Sequence, residues 1–357
     1  MPHRHLFVLT IIAAAACGPL DRSAGGDPDP SSSPDVSRVT PPSLPVPVAN
    51  NAVAAVETAE GTVLLSFLGL DSTKAWNGLT RDAFRWDVGD PSWRRIEPVP
   101  GPARLAATAE SVGGRVYVFG GYTVAADGAE RSVPGVAVYD PSADEWSMSA
   151  PIPIPVDDAV SGVWRDSLIY LVSGWHDTDN EAAVQIYDPA TDSWQQGTPI
   201  PGPPVFGHAG GISGDSFVYV DGVRVDRDPR AFSLESSSWL GAIDPANPAR
   251  IDWTRLEDHP GPGLYRAGAI GYGDRVVFMG GSDNPYNYNG LGYDGVPSEP
   301  AGTAFAWNVS DGAWVELHAS AVPTMDHRGL VRVGQVLYAV GGMTGGQRVT
   351  ASVTPLP

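Results

Sequence analysis

One spacing recurs five times along the chain and constrains its fold more than any other feature. Five tryptophans are each followed, 27 residues later, by a glycine doublet or by a residue pair that replaces it. The tryptophans are Trp93, Trp146, Trp194, Trp253 and Trp314, and the pairs begin at Gly120, Ser173, Asp221, Gly280 and Gly341. The interval from a pair to the next tryptophan varies between 21 and 34 residues. One half of the unit therefore has a fixed length while the other accepts insertions, which indicates a structural repeat with one variable loop.

Each repeat unit contains short strands separated by turns. Residues 115–119 (RVYVF) and 136–140 (VAVYD) are β-branched and aromatic runs, and Gly-Gly and Asp-Pro dipeptides punctuate them. Prolines then alternate with other residues after the tryptophan, which removes N–H donors along one edge of an extended chain. In the first three units they are Pro98, Pro100, Pro102, Pro151, Pro153, Pro155, Pro199, Pro201 and Pro203. We therefore expect this segment to form an exposed sheet edge or the exit from it.

Four short strands in a unit of about 50 residues predict the blade of an all-β propeller. The chain resembles the kelch propeller family in three motifs: Gly-Gly after a strand, Tyr-Asp-Pro as in residues 139–141, and Trp followed by Pro-x-Pro. This resemblance extends over roughly residues 40–355 and implies the fold. It leaves the function open, because one fold hosts many activities.

The two ends of the chain are expected to complete one blade together. If Phe67-Leu68 takes the place of the doublet in the degenerate first unit, the tryptophan position falls on Thr40. The C-terminus has room for only one more strand, so residues 40–48 are predicted to supply the outer strand of the last blade. Such closure removes two open sheet edges. The predicted fold is a six-bladed kelch β-propeller closed by an N-terminal strand.

The N-terminus has the features of a bacterial export signal. Residues 1–17 carry basic and apolar stretches and end in Ala-Ala-Ala-Cys, which resembles a lipobox whose Cys17 is acylated. The alternative is an ordinary secretory peptide. Gly18 after the cysteine implies outer-membrane rather than inner-membrane retention. The polar, proline-rich residues 18–39 are expected to be a flexible tether, and residues 40–357 the propeller.

Charge and cysteine content exclude several classes of function. The net charge of −19 disfavours nucleic acid and anionic membrane surfaces, so membrane contact is expected only through the lipid anchor. The single cysteine, Cys17, allows no intramolecular disulfide, no cysteine–tyrosine copper cofactor and no Cys–His zinc site. We therefore expect a monomer without metal or cofactor.

Candidate site residues come from loops that share one face around the central channel. The return loop of each unit, eleven to fourteen residues past its tryptophan, is rich in Arg, His, Asp and Tyr. These residues are Arg104, Asp157, Asp158, His208, Tyr265, Arg266, Asp326, His327 and Arg328, and Trp175 with His176 is expected to cover the channel mouth. Convergent polar groups in a concavity favour a small polar ligand or glycan. The alternative is that each residue caps neighbouring backbone.

Three of these residues form a specific hypothesis about an anionic ligand. Arg266 and Arg328 are expected to hold a carboxylate from adjacent return loops, with His327 beside them as a proton donor. As rim residues they should contribute little to packing. The long loop 282–303, rich in Asn, Asp and Tyr, has a composition suited to a sugar. His259 and His318 are expected on solvated outer strands.

Two other functions remain open. The chain is similar to exported bacterial sialic-acid mutarotases in blade count, N-terminal closure and the ending GGMTGGQRVTASV, which implies a cofactor-free sugar isomerase using His208, His327 or Asp326. The glutamate that this family places after the fourth blade's second strand corresponds to Val223 here. A protein-interaction scaffold is the second alternative. A deep polar pocket would favour a ligand or an enzyme, and a flat apolar patch would favour the scaffold.

Overall fold

The computed structural model describes residues 39–227, 230–317 and 322–356. Within these ranges the regular structure is β-strand, apart from a short 3-10 turn at Trp76–Gly78. No helix in these ranges has the length and apolar character needed to cross a membrane. The export signal with Cys17, the tether up to residue 38, and His318 lie outside the described residues.

Six antiparallel sheets follow one another along the chain. The first contains β1 (Ala52–Thr58), β2 (Gly61–Phe67), β3 (Ala83–Asp87) and β4 (Arg94–Arg95). The second contains β5 (Thr108–Val112) and β6 (Arg115–Phe119), a side hairpin of β7 (Tyr122–Val124) and β8 (Glu130–Ser132), then β9 (Val136–Asp140) and β10 (Glu145–Ser149). The third contains β11 (Val160–Trp164) and β12 (Leu168–Val172), a side hairpin of β13 (Trp175–His176) and β14 (Asp179–Asn180), then β15 (Val184–Asp188) and β16 (Ser193–Gly197).

The second half of the chain repeats this plan. The fourth sheet contains β17 (Ala209–Ser213) and β18 (Ser216–Val220), a side hairpin of β19 (Val223–Arg227) and β20 (Arg230–Leu234), then β21 (Ser238–Asp244) and β22 (Asn247–Arg255). The fifth contains β23 (Gly268–Tyr272), β24 (Arg275–Met279), β25 (Ala304–Asn308) and β26 (Ala313–Glu316). The sixth contains β27 (Val331–Val333) and β28 (Val336–Val340), a side hairpin of β29 (Met343–Thr344) and β30 (Arg348–Val349), then β31 (Val353–Leu356).

Each sheet is one blade of a propeller, with its first strand innermost. In each blade the strands pair in sequence order, for example β11 with β12 in the register Val160↔Val172. Apolar clusters fill the space between neighbouring blades; one joins Trp164 of the third blade to Phe217 of the fourth. The predicted six-bladed all-β propeller is therefore confirmed.

The repeated tryptophans join each blade to the one before it. The indole N–H of Trp146 donates to the carbonyl of Glu97, four residues past the preceding tryptophan, at 2.9 Å. The same hydrogen bond recurs from Trp194 to Ala150, from Trp253 to Thr198 and from Trp314 to Glu257, at 2.8 to 3.2 Å. Each tryptophan therefore fixes the proline segment of its neighbour, which explains why tryptophan and prolines recur as a unit.

Ring closure uses the N-terminus, but not in the predicted register. Trp93 donates to the carbonyl of Pro42 at 2.7 Å, so the tryptophan position of this segment lies four residues before Pro42 and not at Thr40. The doublet position of the first blade is Leu68-Gly69, with φ of 62° and 106°, rather than Phe67-Leu68. The cause is the longer hairpin, since β1 and β2 have seven residues each against five in β5 and β6.

Residues 40–48 close the ring without forming a strand. Leu44 N–H donates to Ala351 at 2.8 Å and Val48 N–H to Thr350 at 3.2 Å, just before β31. Both side chains are buried, in an apolar cluster that includes Trp86 of the first blade and Tyr338 of the sixth. The predicted outer strand is thus wrong for residues 40–48, which correspond instead to the proline segment of the other blades.

One buried ion pair replaces apolar packing between the fourth and fifth blades. His259 occupies the position of Ile152 and Ile200, six residues past the tryptophan, and is buried rather than solvated as expected. Its Nε2 lies 2.7 Å from the carboxylate of Asp221, which also accepts the backbone N–H of Leu264 at 2.8 Å. Burial disfavours the charged imidazole, but the bond to Asp221 outweighs it, so the pKa of His259 is raised.

Replacing Leu44 tests the closure. Leu44→Ala leaves a cavity in the cluster shared by the first and sixth blades and should lower the free energy of unfolding by about 2–5 kcal/mol. Val46→Ala, in the same segment but exposed, is the matched control and should change it by less than about 0.5 kcal/mol. Urea denaturation gives both values. Equal stability of the two variants would show that the segment does not close the ring.

The His259–Asp221 pair should make stability depend on pH. Because the pKa of His259 is raised on folding, its contribution is complete below about pH 6.5 and is lost as pH rises through the folded value. Burial also raises the pKa of Asp221, which acts in the same direction. The double variant Asp221→Ser with His259→Ile places at these two positions the residues that the third blade has there, Ser173 and Ile200. Urea titrations from pH 6 to 8 should show a falling stability in the wild type and a flatter profile in the variant; parallel profiles would contradict this.

Candidate functional site

A closed ring of backbone hydrogen bonds links the six blades where the innermost strands begin. In each blade the residue at this position has a left-handed backbone, with φ between 49° and 70°. These residues are Asn50, Ala106, Asp158, Gly207, Arg266 and Asp326. Each donates its N–H to the carbonyl of the preceding one at 2.7 to 3.2 Å, except that His327 donates to Arg266 in place of Asp326, and Asn50 closes the ring on Asp326. The ring therefore holds the side chains of one repeat position close together.

The charged residues at this position form a buried ion cluster. Arg266 contacts Asp158 through two nitrogens, at 3.0 and 2.6 Å, and Asp326 through a third at 3.1 Å. Arg328 reaches Asp158 at 2.6 Å, and the Asn50 amide donates to Asp326 at 3.1 Å. Arg266 and Arg328, which are expected to hold a ligand carboxylate together with His327 beside them, thus both contact the carboxylate of Asp158. These residues are not on a rim, however: the Arg266 and Arg328 side chains are 2% and 1% exposed.

The carboxyl groups in and beside this ion cluster have pKa values shifted in opposite directions. Burial disfavours the charge of Asp158, but Arg266 and Arg328 outweigh it and hold its pKa below the ordinary value. Burial raises the pKa of Asp326 despite the same arginines. Burial, together with the neighbouring charge of Asp158, holds the pKa of Asp157 well above its usual range. Both arginines thus have carboxylate partners within the chain, and among their described nitrogens only the Nη2 of Arg328 is without a hydrogen-bond partner.

Aromatic residues cover the cluster on the loop-rich face. Tyr286, from the long loop 282–303, is fully buried and donates to Asp326 at 3.3 Å. The Arg266 guanidinium lies over the rings of Tyr265 and Tyr286, 4.9 and 5.5 Å from their centroids. Phe206, Met325 and Met343 pack around these tyrosines in one buried cluster. The loop-rich end of the channel is therefore closed by packing among the described residues.

A cavity of about 340 Å³ occupies the channel on the other side of the ion cluster. Its wall is formed by the innermost strands β1, β5, β11, β17, β23 and β27. Small residues such as Gly162, Gly211 and Ala269 leave the space open. Each of these strands is an edge strand, so the edge that faces the channel presents backbone N–H and carbonyl groups that are not hydrogen-bonded within the sheet. The channel is thus a polar cavity although few of its side chains are polar.

The channel is accessible from the hairpin turns at the opposite face. Glu57 and Arg332 line this end and are exposed, whereas His208 and His327, at the ion-cluster end, are 2% exposed. Glu110, a half-buried residue, lies on the channel wall between these two ends, and its carboxyl group accepts a hydrogen bond from the Ser161 hydroxyl at 2.8 Å. Burial raises the pKa of Glu110 to about 7. This acid therefore exchanges its proton near neutral pH.

The two histidines of the channel are poor bases. Burial, reinforced by Arg328, lowers the pKa of both His208 and His327 to about 3. The His208 Nε2 lies 3.1 Å from the Val172 carbonyl, and the His327 Nε2 lies 2.8 Å from the Thr324 hydroxyl. Both imidazoles are therefore neutral at pH 7, which does not suit the proton-transfer role expected of them.

Four predicted site residues neither line the channel cavity nor take part in the ion pairs and aromatic cover described above. Arg104 caps backbone carbonyls, including that of Gly120 at 2.7 Å, and burial lowers its pKa to about 10. Asp157 accepts from the Ser132 hydroxyl at 2.6 Å, and His176 lies 2.7 Å from the Pro155 carbonyl. Trp175 packs on Phe206, with centroids 5.3 Å apart. For Arg104 and His176 the backbone-capping alternative matches these contacts, while ligand binding by any of the four stays a prediction.

Two residues of the site were not predicted from the sequence. Glu110 lies in the innermost strand Thr108–Val112, where the other blades carry small or apolar residues at the corresponding place. An acidic residue at a repeat position that is otherwise small or apolar is the sequence feature that could have indicated Glu110. In the sequence Tyr286 is one of several tyrosines of the long loop, and its contact with Asp326 depends on how the loop folds back. Among the described residues no group of three or more His, Cys, Asp or Glu side chains has the arrangement of a metal site.

Comparisons with known proteins agree with this architecture. The kelch motif family matches residues 103–153. The chain is 34% identical over 80 residues to the F-box/kelch-repeat protein At1g16250 of Arabidopsis thaliana, a match that spans 22% of this chain and 20% of that relative. The solved structure of YjhT superposes with a TM-score of 0.70 at 18% identity, over 88% of this chain and 95% of that one.

The repeat and the fold together define the class of protein. The chain is a six-bladed β-propeller that carries a kelch motif at residues 103–153. The curated relative is matched over about a fifth of its length, and the structural likeness at this identity concerns the fold alone.

Removing Arg266 should destabilise the protein strongly. Arg266→Met leaves Asp158 and Asp326 buried with less compensation and should cost about 3–5 kcal/mol. Arg250→Met removes an ion pair whose partners are 60% and 67% exposed and is the matched control, expected to cost less than about 1 kcal/mol. Thermal and urea denaturation measure both. If Arg266→Met is as stable as the control, the ion cluster is not a structural element.

Proposed function

We propose that this propeller binds a small polar, hydroxyl-rich molecule such as a saccharide in its central channel. The observation that carries the proposal is the cavity of about 340 Å³, closed at one end by the ion cluster and open at the other. This volume lies within the range of about 300–1,000 Å³ typical of small-molecule sites. A deep polar cavity is also the feature expected of a ligand-binding protein or an enzyme rather than of a scaffold.

The chemistry of the wall supports a hydroxyl-rich ligand. Strand edges offer both N–H donors and carbonyl acceptors, and Glu110 with Ser161 adds a carboxyl and a hydroxyl. A sugar hydroxyl can donate and accept at once, so it matches such a mixed surface better than an apolar molecule does. The proposed site lies on the opposite side of the ion cluster from the loop-rich face, because packing closes that face around Tyr286.

The proposed setting of this activity rests on the sequence of the N-terminus. Residues 1–17 resemble a lipoprotein signal, so we place the propeller outside the cytoplasm, anchored to the envelope through Cys17 as a monomer. In the outer membrane such a protein would meet saccharides from the surroundings or from the cell wall.

A cofactor-free sugar isomerase is the second candidate, and Glu110 is the observation that favours it. A pKa of about 7 suits a group that both donates and accepts a proton at neutral pH. In this version Glu110 replaces His208, His327 and Asp326 as the proton-transfer group. NMR of the sugar in D₂O separates an enzyme from a binding protein, because an enzyme accelerates the interconversion of the sugar's isomers or anomers above the rate in buffer and a binding protein does not.

Blocking the channel tests the site. A Cβ at Gly329 would meet only Val53 at 3.8 Å and Ala269 at 3.9 Å, so Gly329→Leu should fold and fill the cavity. A thermal-shift screen of saccharides and small metabolites should yield a compound that raises the melting temperature of the wild type but not of this variant. Glu145→Gln, on the exposed β10, is the matched control and should respond as the wild type does. A compound that stabilises all three proteins equally binds elsewhere and overturns the channel site.

A further inference from the structure

The charges along the channel indicate what kind of polar ligand it takes. Resting on the function proposed above, we propose that the ligand carries a protonated amine, which pairs with the Glu110 carboxylate midway along the wall. An amino sugar is the simplest molecule with both the hydroxyl groups and the cation. This differs from the anionic ligand expected from the sequence.

The arginine cluster does not provide a free cation for an anionic ligand. Arg266 is shared by two carboxylates, Asp158 and Asp326, and Arg328 is held by Asp158 at 2.6 Å. Displacing Arg328 toward a ligand carboxylate would leave Asp158 with only one of its two buried partners. The internal contacts therefore occupy every side-chain nitrogen of Arg266 and two of the three of Arg328, which leaves only its Nη2 without a hydrogen-bond partner among the described residues.

Glu110, by contrast, has no cationic partner among the described residues. Its hydrogen bond comes from the Ser161 hydroxyl, which is neutral. The charged or titratable groups that line the cavity with it are Glu57, His208, His327, Arg328 and Arg332. Of these, the two histidines are neutral and Arg328 is bound to Asp158, while Arg332 lies at the exposed end over the ring of Tyr272, 5.8 Å from its centroid. The carboxyl group is thus available to a cation that enters the channel.

Position and overall charge agree with a cationic ligand. A second carboxylate, Glu57, stands at the open end, and the net charge of the chain is −19. The channel lining carries two acids and two arginines, of which Arg328 is paired with Asp158, and the negative charge of the whole chain attracts cations at long range. An ammonium bound to Glu110 would also find acceptors in Ser161 and in the carbonyls of the inner strand edges. The raised pKa of Glu110 reflects burial without a cation nearby, and an ammonium would lower it.

Four sugars that differ in charge test the proposal. Glucosamine, glucose, N-acetylglucosamine and glucuronic acid are titrated into the protein by calorimetry at pH 6.5, where an amine with a pKa close to 8 is protonated. Glucosamine should bind at least about tenfold more tightly than the other three, which is the scale of a charge-assisted hydrogen bond. Glu110→Gln should remove this preference, while Glu145→Gln should keep it. Since burial disfavours the charge of Glu110, the glutamine variant should be at least as stable as the wild type.

The outcomes separate this inference from the proposed function. If glucose and glucosamine bind equally well, Glu110→Gln changes nothing and Gly329→Leu abolishes binding, the channel binds sugars but the amine proposal is wrong. If glucuronic acid binds most tightly and is lost in Gly329→Leu, the channel selects an anion and the proposal is reversed. If Gly329→Leu leaves glucosamine binding intact, the sugar is not in the channel, and both proposals fail.

Discussion

A ring of six backbone hydrogen bonds at the head of the innermost strands is the constraint on which the rest of this structure depends. It requires a left-handed backbone once in every blade, at a position where glycine occurs only as Gly207. The other five positions carry side chains, and the ring gathers them on the propeller axis. Charged residues gathered in this way must compensate one another, because a buried charge without a partner is costly. The pairing of Arg266 with Asp158 and Asp326 follows from the ring and links three blades through their side chains.

This arrangement gives the two ends of the channel different properties. At the loop-rich end, ion pairs and aromatic rings fill the axis, and the long loop 282–303 adds Tyr286 to them. On the other side of the ion cluster, small residues leave the axis open, with Glu110 midway along the channel wall and Glu57 at its open end. The side chains that converge at the closed end are therefore held in ion pairs with one another. Glu110, which faces the open part of the channel, has only the hydroxyl of Ser161 as a partner and remains available to a ligand.

The repeat made much of this fold predictable, and its limits explain what was missed. The 27-residue spacing located the tryptophans, the doublets and the return loops, because all of them depend on local chain geometry. Thr40 was misplaced because β1 and β2 are longer than their counterparts, which the spacing in the degenerate first blade did not show.

The functional residues were harder to predict for a different reason. The sequence brought Arg266 and Asp326 to one face, but their burial depends on which blades oppose each other across the axis. Glu110 could not be predicted in this way, because an acid in a strand is normally solvated. Its side chain faces a cavity only because the six blades are arranged in a ring around the channel. A histidine on an outer strand is expected to be solvated, but Ile152 and Ile200 occupy the same repeat position as His259 and indicate that the position is buried.

The tryptophan hydrogen bonds have a direction, and it bears on how the chain is made. The indole of each repeated tryptophan donates to a carbonyl that precedes it in the sequence, so each new blade finds its partner already synthesised. The sixth blade reverses this order, since Thr350 and Ala351 accept from the segment around Leu44, the first part of the ring to be made. Until the final residues emerge, the nascent chain is an open arc with two unprotected ends. The propeller thus depends on contacts between its two ends, unlike a solenoid whose repeats contact only their neighbours. Without Thr350 and Ala351, Leu44 and Val48 would lose the carbonyls that hold them, even though β1 would still pack against β27.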